Sequence, residues 1–444
     1  MSSGRVAARV ALVTLIVGVL SGLVGAFMTL LLKLVQWLSL GVAPRVLITD
    51  PHAVPAWRLV LAPLVGCALA GIGWWWLRAN RTIVPVRRAV QPGSRAMGWW
   101  TTFTDASLQI IMVGSGGSLG REGAPRQAAA AAADTVARRL TVSDAWRTIL
   151  VASAAGAGLA AVYNVPVSGV VFAMEVALHR WSPRIAVVAA VTSGVATVVA
   201  WPVISTAPTY HFPPFSLSLG LAAALLASVP LWSLVGVGMV SLVAPARKRA
   251  IFHGGGVAWL VAAAGLVLGI VTIWLPVATG NGKEMVQLAF LLPVLGSAGL
   301  FGLLAVAKPV LSAGFIVAGA EGGMITPSMA TGAAAAAAVL LALGHPAVVP
   351  VAALVGAGCV LAVTQNAPVF AGVMAWELTH AGLAVGVLVM ASAALSWLVA
   401  RLLRHWSKLA VGARLPPSAG GVQAENLGED ERPVTQPDAA EHPR

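Results

Sequence analysis

Charge is what this sequence has least of. Only 10% of its 444 residues are charged, against about 25% in an average soluble domain. With 58% hydrophobic residues and a mean hydropathy of +0.87, that excludes an ordinary soluble globular protein. Acids are scarcer still, 15 against 28 basic residues. The resulting charge of +13 does not indicate nucleic acid, because the cations are dispersed at helix ends without aromatic interleaving on a soluble face. Groups such as Arg87/Arg88, Arg138/Arg139, Arg247/Lys248/Arg249 and Arg401/Arg404/Lys408 fit topology anchors that meet anionic headgroups. Cysteine is nearly absent. Cys67 and Cys359, each beside a glycine in an apolar run, exclude a disulfide framework and a cysteine metal site. His179, His253, His345, His380 and His405 lack the paired spacing of metal ligands, so neither metal nor cofactor is expected.

What the chain has instead is long apolar runs, among them residues 11–41, 57–77 and 216–244. Most reach the 18 or more residues a membrane helix needs, and they lack the every-second-residue alternation of barrel strands. The class is therefore an all-α polytopic membrane protein, in contact with a lipid bilayer. Residues 1–9 are weakly basic and run into the first apolar stretch without a small-residue cleavage site, which predicts a cytoplasmic N-terminus and a retained first helix. Trp74, Trp75, Trp76 and Arg78 read as an interfacial belt. From 410 to 444 the chain turns polar and rich in Pro, Gly and Glu, predicting a disordered acidic cytoplasmic tail with no folded regulatory domain.

Gly114 to Gln127, GSGGSLGREGAPRQ, sets Arg121, Glu122 and Arg126 among glycines in this apolar setting. Charges at bilayer depth are expensive and mark function. The glycine spacing half-matches a dinucleotide fingerprint, but the strand and βαβ unit that motif needs are missing. The stretch reads instead as a helix break, and helix N-termini exposed by a break attract anions.

The second half of the chain repeats the first. Pro125 and Pro327 lie 202 positions apart, and the same offset relates Gly120 to Gly322, Gly156 to Gly358, Asn164 to Asn366, Pro166 to Pro368 and Glu175 to Glu377. The local text agrees, AGAGLAAVYNVPVSGVVFAMEVAL against GAGCVLAVTQNAPVFAGVMAWELTHA. Two membrane repeats, at 10–208 and 215–409, broken by Gly and Pro at matching places, predict a substrate site near the midplane between them.

These motifs resemble the CLC family of chloride channels and chloride/proton antiporters. Gly120-Arg121-Glu122-Gly123 is similar to the family's GREGP, Gly323 to Pro327 (GMITP) to its GxFxP, and AGLAAVYNVPVSGVVFAME to its AGLAAAFNAPLAGxxFxxE stretch. Lys308 resembles a frequent family lysine. The resemblance covers nearly the whole membrane region. It implies a homodimer in a bacterial inner membrane, each subunit having its own pore built from two inverted-topology repeats of broken, tilted helices. It implies that Glu122 is the gating glutamate, whose carboxylate competes with anions and swings away when protonated. It places anion contacts at Arg121, Gly123, Gly323, Met324 and Ile325. Ile325 stands in place of the family's Phe, a change that spares the backbone amide. By spacing, the family's GSGIP serine loop falls on Arg81 to Pro85, so that Thr82 supplies the hydroxyl.

The same resemblance marks departures. The tyrosine that closes the family's inner side has no counterpart, since Tyr163 and Tyr210 are the only tyrosines and neither is near the C-terminal helix. The inner gate is therefore expected to be weaker or differently built. Antiporters of the family commonly carry a second glutamate where this chain has Val176, one position after Glu175. The proton path is then left with Glu122 and Glu175, although Glu175 and Glu377 equally fit acids bonded to helix ends, and Asp105 fits a helix start or a pore lining. The expected function is movement of chloride and similar small anions, passive or loosely coupled to protons, and not enzymatic. The alternatives are strict chloride/proton antiport, fluoride export (GGMITP resembles that branch's GGEVTP, with Met324 for the glutamate), and a non-conducting scaffold or sensor.

Overall fold

Apolar runs of the predicted length become helices that stop where Asn, Gly and Pro stop them. The computed structural model describes residues 3–50, 52–91, 93–291 and 297–412. Among the described residues every named element is helical, and nine helices are long and apolar enough to cross a membrane. The first, Ser3–Leu40, begins inside the segment expected to precede the membrane. The last, Leu383–Gly412, continues past the expected boundary at 409. The compact membrane unit runs to Leu402, and a separate small unit follows. Of the acidic tail predicted at 410–444, residues 410–412 belong to that last helix and the rest lies outside the described residues.

Trp75 and Trp76 are exposed, as an interfacial belt requires. Trp74 and Arg78 are not part of that belt. Trp74 is fully buried with its Nε1–H donated to Asp105 at 2.8 Å, and Arg78 reaches inward to the Gly319 carbonyl at 2.9 Å. They share a helical turn with the exposed tryptophans but, four positions apart, lie on the face turned to the protein, where the buried Asp105 and the Gly319 carbonyl take their protons.

Two breaks repeat. After the helix Asp144–Tyr163, Asn164 takes the left-handed conformation (φ 58°), and Pro166 opens the short helix Pro166–Val171. After Val349–Gln365, Asn366 does the same (φ 52°), and Pro368 opens Pro368–Glu377. Asn tolerates the left-handed region as a C-cap, and Pro suits the first turn of a helix. With 6 and 10 residues, these short helices rise about 9 and 15 Å, at most half of a ~30 Å hydrocarbon core. Their ends therefore need partners inside the protein.

Each repeat supplies the other's partner. The Glu175 carboxylate accepts the N–H groups of Val369 and Phe370 at 3.2 and 2.6 Å, capping the second-repeat helix. Glu377 accepts those of Val167 and Ser168 at 2.9 and 2.7 Å, together with the Ser168 hydroxyl, capping the first-repeat helix. Phe172 and Phe370 meet edge to face nearby, 5.6 Å between ring centroids. The 202-residue offset of the sequence is thus a reciprocal exchange of caps, which complements the positive ends of two helix dipoles.

The helix Gly123–Arg139 is enclosed by protein because its middle is Ala128 to Ala133, all buried. Small side chains let neighbouring backbones approach in a setting where water gives no hydrophobic drive. Its far end is anchored by Asp134, which accepts Arg147 Nη1 at 2.6 Å, Arg138 Nε at 3.1 Å and the Met97 N–H at 2.8 Å.

Candidate functional site

Two helix N-termini, one from each repeat, meet at the only strand-like contact among the described residues. The chain leaves the helix Trp99–Gly114 and turns through Gly116, whose φ of 123° favours glycine. It then runs past Gly120 into Gly123–Arg139. In the second repeat it leaves Ala298–Val317 and passes Gly323 into Ile325–Ala342. Gly120 and Gly323 exchange two backbone hydrogen bonds of 2.7 Å each. The first loop is further pinned by the Ser312 hydroxyl on the Ser118 carbonyl (2.7 Å) and by the Gly280 N–H on the Gly116 carbonyl (2.6 Å).

Glu122, directly before the first of these helices, is 0% exposed. Its Oε1 accepts the Thr326 N–H at 3.1 Å, the Thr326 hydroxyl and the Tyr163 hydroxyl at 3.1 Å. Its Oε2 has no hydrogen-bond partner and lies against two glycines: a Cβ at Gly120 would stand 1.9 Å from it, and one at Gly323 2.2 Å. The carboxylate is thus held by Thr326 of the opposite repeat and Tyr163 of its own, in a cradle that only glycine leaves open. Arg126 donates to the Glu122 backbone carbonyl and Arg121 to the Tyr163 hydroxyl. Among the described residues no ion pair joins Glu122 to either arginine, so the acid is not there to form a salt bridge.

Beside this cluster lies a cavity of about 890 Å³. Lys33, Arg45, Arg121 and Lys283 line it against one acid, Glu284, a balance that concentrates anions. Tyr163 and Asn281 form its wall toward Glu122. Lys308, fully buried, donates to the carbonyls of Ala278 and Gly280 and so fixes the loop that carries Asn281. On another side of the helix Gly123–Arg139, Asp105 is 1% exposed and takes Gln109 Nε2 at 2.9 Å. Gln109 Oε1, buried and unpartnered, stands against Gly123.

Of the residues singled out from sequence, Glu122, Arg121, Gly123, Gly323, Met324 and Ile325 come together here, the last two buried at the start of the second helix. Thr82 does not join them. It is exposed between Ala56–Asn80 and Val86–Ala89 and makes no hydrogen bond among the described residues. Glu175 caps a helix, and Val176 beside it packs on the apolar core. Tyr163 and Thr326 were not anticipated, although each carried a signal. Tyr163 directly precedes the Asn164 break, and Thr326 is the second helical residue of GMITP, where a side chain and an N–H both reach the helix mouth.

A profile described as voltage gated chloride channel matches residues 66–401. The voltage-gated ClC-type chloride channel ClcB of Salmonella typhimurium is 28% identical over 420 residues, which covers 89% of this chain and 96% of that protein. A putative chloride channel protein, ClcB-like, of Ralstonia nicotianae is 29% identical over 389 residues, 81% of this chain and 87% of that one. Among solved structures, a slow cyanobacterial Cl⁻/H⁺ antiporter superposes with a TM-score of 0.75 at 18% identity, covering 91% of this chain and 99% of its own. A CLC-type fluoride/proton antiporter superposes with a TM-score of 0.69 at 18% identity, covering 90% and 97%.

Proposed function

This chain belongs to the CLC family of voltage-gated chloride channels and transporters, and from that premise we propose that it carries chloride and similar small anions through a Glu122-gated pathway, passively or with loose proton coupling. The observation that carries the reading is the seat of Glu122. A carboxylate sealed among one amide and two hydroxyls, at the meeting of two helix N-termini, occupies a place built for an anion. When it is protonated its charge is gone and the donors are free for another anion. The basic cavity feeds that place from one side. Backbone N–H groups of Gly123, Met324 and Ile325 are proposed to complete the path, in a homodimer of the bacterial inner membrane with one pathway per subunit.

Loose coupling follows from two features. Val176 carries no proton, and both carboxylate oxygens of Glu175 are committed to the helix Pro368–Glu377, so neither residue offers an inner relay. The test is reconstitution in liposomes with a chloride gradient, zero net voltage, and simultaneous readings of anion flux and internal pH. Chloride flux with little or no uphill proton movement is expected. Uphill proton movement at a fixed ratio would replace this reading with strict antiport. Flux seen by a fluoride electrode and not by a chloride electrode would make it a fluoride exporter, and no flux at all a scaffold.

A further inference from the structure

We propose that Tyr163 is an anion ligand and outer door of this pathway, its hydroxyl passing from the Glu122 carboxylate to the arriving anion. This rests on Glu122 being the gate. The cavity wall includes Tyr163, Arg121 and Asn281, but Glu122 lies behind them. An anion moving from the basic cavity to the carboxylate's seat must pass the phenol.

The hydrogen bonding of the phenol fixes what it can bind. A tyrosine hydroxyl offers one proton and two lone pairs. Arg121 Nε at 3.1 Å and Asn281 Nδ2 at 3.3 Å both donate to this oxygen, which fills the lone pairs. The proton is therefore committed outward, to Glu122 Oε1 at 3.1 Å. With the carboxylate withdrawn, that proton has no acceptor among the described residues except the Thr326 hydroxyl 3.4 Å away, itself a donor to the same seat. Three donors, Tyr163 O–H, Thr326 O–H and Thr326 N–H, then converge on one point. Such a site suits a small, single-centred monoanion and not a neutral hydroxyl compound or a cation.

The phenol is also held still. Its backbone carbonyl accepts the Thr209 hydroxyl at 2.8 Å, and Asn164 next to it is fixed by Trp201 Nε1 at 3.0 Å. The Arg121 guanidinium lies over the ring at 4.7 Å, which places a positive charge behind the donor and strengthens it.

Tyr163→Phe keeps the ring and removes only the hydroxyl. In a Glu122→Gln background, where no carboxylate competes, it is expected to weaken chloride binding about 10-fold, the scale of one hydrogen bond to a charged acceptor. In the native background at subsaturating chloride, it removes a donor to the charged carboxylate, so the midpoint of the flux-versus-pH curve moves upward by about one unit. Asn281→Ala, which leaves the tyrosine in place but frees one of its lone pairs, is expected to move both readouts the same way by a smaller factor, and serves if Tyr163→Phe fails to fold. Unchanged chloride affinity and an unchanged midpoint in a folded variant would overturn the proposal. So would a loss of flux that merely tracks lowered thermal stability. Failure of the underlying reading shows separately, as pH-dependent flux retained by Glu122→Gln alone.

Discussion

Gly323→Ala should eject the Glu122 carboxylate from its seat without breaking the fold. A Cβ built there stands 2.2 Å from Glu122 Oε2, and the next nearest atoms, at 3.3 Å, also belong to the Glu122 side chain. No backbone atom obstructs it. Real Cβ contacts hardly ever fall below 3.0 Å, so the carboxylate must retreat by about 0.8 Å, enough to stretch its 3.1 Å bonds to Tyr163 and the Thr326 N–H past hydrogen-bonding range. Two bonds to a charged acceptor are together worth at least about 3 kcal/mol, or ~100-fold in gate occupancy. Oε1 lies no nearer than 3.3 Å to the new methyl, so an anion seated at the Oε1 position is spared what the two-oxygen carboxylate is not. Chloride efflux from liposomes across a pH series should therefore show a midpoint raised by about two units, with flux at neutral pH near its acid plateau. Gly120→Ala is the control. Its Cβ would also meet the Gly323 carbonyl at 2.7 Å, so it should lower thermal stability. A folded Gly323→Ala protein with the native pH profile would refute the cradle.

Two further substitutions separate scaffold from transport. Asp134→Asn leaves Arg147, with its side chain 2% exposed, without its buried counter-charge, and should destabilise the protein by about 3 kcal/mol in a detergent melt, with partial recovery in the Asp134→Asn/Arg147→Met double variant. Glu175→Gln and Glu377→Gln should lower the melting temperature by similar amounts and leave the pH midpoint unmoved, since each carboxylate caps a helix of the other repeat. A midpoint shift in Glu175→Gln at unchanged stability would return that residue to the proton path.

Much of this was legible in the sequence because the repeat sits in its punctuation. Asn164, Pro166 and Glu175, with Asn366, Pro368 and Glu377, mark where helices stop, restart and receive a cap, and each of those events is local. The cap exchange itself was not legible, since it pairs Glu175 with residues almost two hundred positions away. Glu122 stood out because an acid among glycines in an apolar chain is costly and needs a reason. Tyr163 did not, because a tyrosine ending an apolar helix looks like core until its hydroxyl is seen to face a carboxylate. Trp74 and its neighbours read as one belt because periodicity alone cannot say which face of a helix meets a buried Asp105.

The most direct measurement is chloride flux through the reconstituted Glu122→Gln protein as a function of pH. The neutral amide cannot compete as an anion for the Tyr163 and Thr326 donors, so flux should be high and flat from acid to alkaline pH, whereas flux through the native protein should rise as pH falls. Glu122→Gln flux that still rises with acid as it does in the native protein would contradict the claim that this carboxylate occupies the anion's place.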